Sequence, residues 1–233
     1  MTSRLAILTV ALGLALTSWT APAAAGTTTT AASSDSPLVG DVVSAVESTY
    51  KGVEAIRADF VQVTRSAALG GEQKQKGRMV LKRPRKMRWE FQGNDASLFV
   101  TDGATMWVYS PAQNQVVVTR EVGVNNDGAV ALLGGLDKLD ELFLVTLLEH
   151  ESGPDKRTHV LELVPRKPTA AFKKLRITVD RKKYTLERLV WTDAFNNQVD
   201  LSFSQVKLNP DVSDTEFVFQ VPVGANVIDS GAL

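Results

Sequence analysis

Site chemistry needs side chains that titrate, coordinate or attack, and the chain offers only two histidines, His150 and His159, for such work. His150 stands between Glu149 and Glu151. On a strand successive side chains leave opposite faces, so that imidazole turns away from both carboxylates and the trio reads as a solvated edge, not a metal site. There are no cysteines, which removes disulfides, thiol nucleophiles, thiolate metal ligands and a lipid-bearing N-terminal Cys together. The sequence contains no G-x-S-x-G elbow, no phosphate-cradling G-x-x-x-x-G-K-[ST], no H-E-x-x-H and no G-x-G-x-x-G. Asp and Glu are plentiful, yet nothing brings a particular acid–base pair together. Neither catalysis nor a metal or other cofactor is expected.

Two other groups of residues remain. From Lys74 to Arg88 the stretch KQKGRMVLKRPRKMR holds eight basic side chains and no acidic one. It reads either as the water-facing side of strands or as a positive field for an acidic partner or lipid phosphates. Within it, Pro84 suits a hairpin connection, because it has no N–H to give a ladder. The aromatic residues Trp89, Trp107, Tyr109 and Trp191 read first as core fillers, the usual fate of aromatics at strand spacing, with a ligand cavity as the alternative.

The elements that position these residues follow from periodicity. Arg4, the apolar run Leu5–Leu16 and the small residues up to Ala23-Ala24-Ala25 form a cleavable secretory signal over residues 1–25, with Ala21-Pro22-Ala23 as a second cleavage pattern. Twelve residues give a helix of about 18 Å, short of the ~30 Å hydrocarbon core. Residues 26–37, mostly Thr, Ala and Ser, read as a flexible leader. Residues 38–233 then form one domain. Once Arg4 is removed, 25 basic residues face 26 acidic ones, so charge gives no reason to expect nucleic acid. Val39, Val42, Val43, Val46 and Tyr50 share one face of an amphipathic helix.

Beyond about Ile56 the period drops to two. Met87, Trp89 and Phe91 alternate with Arg88, Glu90 and Gln92; Leu175, Ile177 and Val179 do the same, as do Val199, Leu201 and Phe203. Phe217, Phe219 and Val221 repeat the pattern near the end. Turn residues separate the runs at Asp102-Gly103, Ser110-Pro111, Asp180-Arg181 and Asn196-Asn197. Many short antiparallel strands in one chain predict a sandwich or barrel. The segment 128–142 interrupts them with helix-like pieces broken at Gly134-Gly135. A barrel with an inward apolar face either fills its interior or holds a ligand.

Several segments in register resemble the periplasmic outer-membrane lipoprotein carrier (LolA) family. They are ADFVQVT (58–64), GRMVLKRPRKMRWEF (77–91), FVTDGATMWVYSPAQNQVVV (99–118), ALLGGLDKLDELF (131–143), HVLELVPRKP (159–168), FKKLRITVDRKKYTLERLVWTD (172–193) and TEFVFQVPVGANVID (215–229). The resemblance implies a mainly β fold: an incomplete antiparallel β-barrel of about eleven strands, with short helices forming a lid over an apolar cavity. It implies a monomeric periplasmic chaperone whose partners are lipoprotein acyl chains, an inner-membrane ABC-type release complex and an outer-membrane acceptor. The Arg of the Lys-Arg-Pro motif, here Arg83, is implied to latch the lid by bonding to its backbone, the lid being the 38–50 helix with the 128–142 pieces. Met87, Trp89, Phe91, Leu201 and Phe203 are the expected acyl-cavity residues, Met87 standing where the family usually has Phe. Two other functions use the same barrel: carriage of a glycolipid or pigment lipid, and a sensor or assembly role without lipid transport.

Overall fold

A computed structural model of the chain describes residues 38–68, 70–93, 96–120, 129–148, 157–167, 172–192 and 196–230. The expected signal segment and leader, and the His150 trio, lie outside the described residues.

The chain enters through helix α1 (Val39–Tyr50). Leu38 is extended, Asp41 sits in the first turn where the helix dipole favours an acid, and Gly52, at φ +74°, follows the last turn in a conformation open to glycine. Val42, Val43, Val46 and Tyr50 are buried as the spacing predicts. Six strands follow: β1 (Ala55–Arg65), β2 (Glu72–Lys82), β3 (Lys86–Gln92), β4 (Leu98–Thr101), β5 (Thr105–Ser110) and β6 (Gln115–Arg120). Next come α2 (Ala129–Gly134), a 3-10 turn (Leu136–Lys138) and α3 (Leu139–Leu142). The remaining strands are β7 (Phe143–Leu147), β8 (Thr158–Pro165), β9 (Leu175–Asp180), β10 (Leu186–Thr192), β11 (Gln198–Leu208) and β12 (Asn226–Asp229).

All twelve strands belong to one sheet, in the order β12-β6-β5-β4-β3-β2-β1-β11-β10-β9-β8-β7. Two antiparallel meanders, β1 to β6 and β7 to β11, are joined through the β1–β11 ladder. The sheet is open, and β7 and β12 are its two edges. The expected architecture therefore holds, with two refinements. There is a twelfth strand, and it pairs parallel to β6, matching Asn226 with Gln115 and Asp229 with Val118. The run Phe217, Phe219, Val221 is not a strand. Ser213 caps a 3-10 turn over Asp214–Phe217, and the segment after it lies on the outer face of the sheet. There Phe217 joins Ala55, Val80 and Val212 in a small second core, and Phe219 packs 6.1 Å from the rings of both Trp107 and Tyr109.

On the inner face the register lays apolar residues in rows across the strands. Phe99, Trp89, Met79 and Ala58 form one row. Phe91, Gly77, Phe60 and Phe203 form the next. A third, Gln62, Leu201, Leu189, Ile177 and Leu161, continues onto the second meander. The helices close over these rows and share one core with them, through Val46 and Tyr50 of α1 and through Leu132, Leu133, Leu136 and Leu139.

Gly77 is the one place in these rows where a side chain has no room. A Cβ there would lie 1.9 Å from the Glu90 carbonyl oxygen and 2.7 Å from the Phe60 ring. Its absence lets the Phe60 ring lie across β2. Gly77→Ala is expected to destabilise the fold by roughly 1–3 kcal/mol, the usual cost of overpacking. A urea midpoint equal to that of the unmodified protein would contradict this close approach.

Candidate functional site

The order of the strands determines how the interior is covered. Because β6 and β7 lie at opposite ends of the sheet, the chain between them must cross from one side to the other. That crossing carries α2, the 3-10 turn and α3, and the last two meet α1 over the inner face. Glu47 of α1 accepts a hydrogen bond at 2.8 Å from the backbone N–H of Asp140, tying the two parts of the cover together. The Tyr50 hydroxyl, buried, accepts from the N–H of Leu186 at 2.9 Å and ties α1 to β10. Burial raises the Tyr50 pKa, and that hydrogen bond only partly offsets it. Arg166 Nε donates to the Asp140 carbonyl at 2.8 Å from the β8 side.

On the other side stands Arg83, in the turn between β2 and β3. Its Nη1 and Nη2 each donate at 2.9 Å to one oxygen of the Asp137 carboxylate, on the 3-10 turn of the cover. The bond thus runs from the expected residue to the expected element, but it ends on a side chain and not on the backbone. A carboxylate matches the guanidinium fork with two parallel bonds, which a single carbonyl cannot do. The two side chains are only 20% and 16% exposed, so water screens the pair weakly. Burial by itself would push the Asp137 carboxyl up. The hydrogen bonds and charge of Arg83, with its own backbone N–H and Lys138, outweigh burial and hold it below the ordinary carboxylate value.

On the inner face of the sheet lies an open apolar cavity of about 200 Å³, lined by the strand residues Gln62, Met87, Trp89, Phe91, Phe99, Trp191 and Leu201. Four of the five residues expected from alternation, Met87, Trp89, Phe91 and Leu201, meet there. Phe203 does not line it; its ring stands edge-on to Trp89 with centroids 6.4 Å apart. Gln62, Phe99 and Trp191 complete the wall. Register brings them in, since Phe99 pairs with Trp89, Gln62 with Leu201, and Trp191 with Val199.

The basic stretch is largely engaged within the chain itself. Lys82 and Lys86 hold Asp214 at 2.7 and 2.9 Å, Arg88 meets Glu90 at 2.6 Å, and Arg78 approaches Asp59 at 3.6 Å. The hydrogen bonds from Lys82 and then Lys86 lower the Asp214 pKa to about 2. This part of the stretch therefore clamps the C-terminal segment onto the outer face. Among the described residues no group of His, Cys, Asp and Glu could hold a metal, and no helix is long and apolar enough to cross a membrane.

Sheet, crossing segment and cavity define an open, covered β-barrel with an apolar interior. Residues 51–220 match the family described as outer membrane lipoprotein carrier protein LolA. A relative from Methylobacillus flagellatus, named outer-membrane lipoprotein carrier protein, is 29% identical over 188 residues, covering 81% of this chain and 89% of the relative. One of the same name from Chromohalobacter salexigens is 30% identical over 182 residues, covering 78% and 83%. Among solved structures, that of an uncharacterized conserved protein from Thermus thermophilus shares the fold, with a TM-score of 0.51 at 14% identity over 82% of this chain and 98% of that one. The chain belongs to the LolA family.

The Arg83–Asp137 pair has a definite pH signature. A carboxyl lowered by folding stabilises the native state above its unfolded value, near pH 4, and loses that contribution as pH falls through the lowered native one. At neutral pH Asp137→Asn is expected to lower unfolding stability by about 1–3 kcal/mol. The gap between the variant and the unmodified protein should close as pH drops below about 4. A gap that stays constant from pH 7 to pH 3 would show that the charge of Asp137 contributes nothing.

Proposed function

We propose that this chain is a periplasmic carrier that takes up the acyl chains of lipoproteins and delivers them to the outer membrane. The observation that supports this best is the open apolar cavity on the inner face of a sheet whose helical cover is tied to the β2–β3 turn by a bidentate ion pair. Curated relatives that match over most of the chain are named for lipoprotein carriage. In this reading the cover is a lid, and Met87, Trp89, Phe91 and Leu201 are wall residues that meet the acyl chain. The partners are an inner-membrane ABC-type complex that releases lipoproteins and an outer-membrane acceptor. The segment at residues 1–25 is a signal that brings the chain to the periplasm and is removed.

The mechanism rests on exchange of like for like. Each CH₂ removed from water is worth about 0.8 kcal/mol, so bare acyl chains cannot cross an aqueous space unassisted. A cavity of about 200 Å³ is smaller than the ~300–1,000 Å³ typical of ligand pockets, so in this reading a whole acyl chain also takes inner-face surface that the lid covers in the empty protein. Leu132, Leu133, Leu136 and Leu139 then give up inner-face contacts that the acyl chain makes in their place. Apolar surface replaces apolar surface, and much of the large hydrophobic gain cancels. What does not cancel is the Arg83–Asp137 pair, which the cargo cannot replace. It biases the empty carrier toward closure and so favours release.

The decisive experiment is release of a labelled lipoprotein from spheroplasts by the mature protein. Soluble lipoprotein bound to the carrier is the expected result; lipoprotein that stays on the membrane would remove the reading. Lipid extracted from the protein as purified from the periplasm separates the other functions. A glycolipid or pigment lipid would replace the cargo, and no lipid at all would favour a sensor or assembly role. Arg83→Leu is expected to leave the barrel folded but to hold cargo longer, and a normal rate of handover to the acceptor would sink the latch. Trp89→Glu should weaken acyl binding far more than Arg88→Glu, because the two side chains leave opposite faces of β3. Equal losses would contradict that placement.

A further inference from the structure

Charge is missing from one corner of the molecule. Residues 104–119, which hold β5, the turn after it and most of β6, contain no Asp, Glu, Lys or Arg, and neither do residues 217–228, which lead into β12. The fold brings these two stretches together. β12 pairs with β6, Asn114 Nδ2 donates to the Gly224 carbonyl at 2.9 Å, and Phe219 packs against Trp107 and Tyr109. Among the described residues eleven large apolar side chains are exposed, and six of them, Val108, Val218, Val221, Val223, Val227 and Ile228, stand on this corner. Val223, in the turn before β12, is 103% exposed, so nothing in the fold shelters it. Gathered apolar exposure of this kind marks a surface that meets something other than water. The charges that follow in sequence, Arg120 and Asp229, pair with each other at 2.9 Å at the margin of the patch.

We infer that this corner is a docking surface for a lipid bilayer. The inference goes beyond the carrier reading, since it concerns contact with a membrane and not the holding of cargo. Two observations favour a bilayer over a protein partner. The first is the chemistry of the patch. A protein interface has a polar rim and seats its anchors in pockets, whereas here the most exposed side chain is a valine in a turn, within a stretch that carries no charge. A bilayer accepts such a tip without a matching pocket. Trp107 and Tyr109, in the same corner, are of the residue types that settle at a membrane–water boundary. The second is continuity with the cavity. Across the strands Phe99 pairs with Val108, Val108 with Val117 and Val117 with Ile228, so one inner-face row runs from the cavity wall to the patch. Docking there sets a leaflet beside the open apolar face. The contact is apolar, so it needs neither anionic lipid nor low salt, unlike attraction through basic side chains.

The test uses the mature protein without cargo and vesicles of phosphatidylcholine, with or without phosphatidylglycerol. Flotation is expected to carry the protein with both kinds of vesicle, to the same extent at low and high salt. Val223→Asp keeps the fold, since that side chain is fully exposed, and should weaken vesicle binding roughly tenfold, the order for withdrawing one valine from an apolar contact. Because the chain has no cysteine, a polarity-sensitive fluorophore on Val223→Cys reports on that position alone. Its emission should shift to the blue when vesicles are added, while the same dye on Leu144→Cys, exposed on the β7 edge, should not move. Equal flotation of Val223→Asp and the unmodified protein, with an unmoved label at 223, would overturn the docking surface. Binding only to vesicles that contain phosphatidylglycerol, lost at high salt, would assign the contact to basic side chains and overturn it too. So would a lack of binding to either vesicle. If lipoprotein release from spheroplasts then still works, the corner serves a protein partner and the carrier reading stands. If flotation succeeds and release fails, the carrier reading falls and the docking surface remains.

Discussion

A sheet of twelve strands that curls without closing leaves its inner face apolar and open to water. The rows built on Trp89, Phe60 and Leu201 hold more hydrocarbon than the strands can shield by themselves. Exposed patches of that size are rare on soluble proteins, because removing each Å² from water is worth about 25 cal/mol. Something must cover the face, and the chain supplies it at the one point where its topology obliges it to cross the mouth. The crossing part of the cover is thus a consequence of placing β6 and β7 far apart in one sheet, and α1 supplies the rest. Its four leucines, Leu132, Leu133, Leu136 and Leu139, are there because that crossing runs over an oily surface.

Apolar contact is strong but undirected, so it cannot alone fix where the cover sits or when it leaves. The directed contacts stand at its margins: Tyr50 to Leu186, Glu47 to Asp140, Arg166 to Asp140, and Arg83 to Asp137. The last differs from the rest in joining the crossing to the β2–β3 hairpin by two parallel, largely buried charged bonds; Arg166 and Asp140 pair as well, at 3.3 Å, but in the open. Half-shielded ion pairs with good geometry are worth a few kcal/mol at most, far less than a set of buried leucines. Such a contact matters only where stronger forces nearly cancel. An apolar guest taking the place of an apolar lid is a case of that kind.

Much of this was legible in the residues. Alternation placed Met87, Trp89, Phe91 and Leu201 on one side of their strands, and the spacing of Val42, Val46 and Tyr50 gave the helix face. Alternation reports the face a side chain takes and not what it lines, which is why Phe203 shares the face yet lies outside the cavity, its ring edge-on to Trp89. Gln62, Phe99 and Trp191 reach the cavity through cross-strand register, which no single segment encodes. The partner of Arg83 was hidden for a related reason. Asp137, Asp140 and Glu141 crowd one short stretch, and only the path of the crossing decides which of them meets the guanidinium. At the C-terminus, Phe217 and Phe219 mimic a strand because they cover a pleated surface, with no ladder of their own. The basic run read either as the water-facing side of strands or as a positive field, because its carboxylate partners Asp214 and Asp59 lie outside the run.

Protein interiors pack about as densely as organic crystals, and a core built only for stability leaves few spaces larger than a water molecule. Around Trp89 this rule fails in two respects together: an open apolar pocket of about 200 Å³ is left on the inner face, and among the described residues the buried indole N–H has no acceptor. Either defect is costly, and simple substitutions would repair both, a larger side chain at Leu201 or a Phe at position 89. Elsewhere the same wall is built tightly, to the point that Gly77 excludes a single methyl group. Tight packing beside a void with an unmet hydrogen bond is not uniform looseness. It is the pattern expected where a guest completes the interior, because the energy withheld from the empty state is what the occupied state can gain.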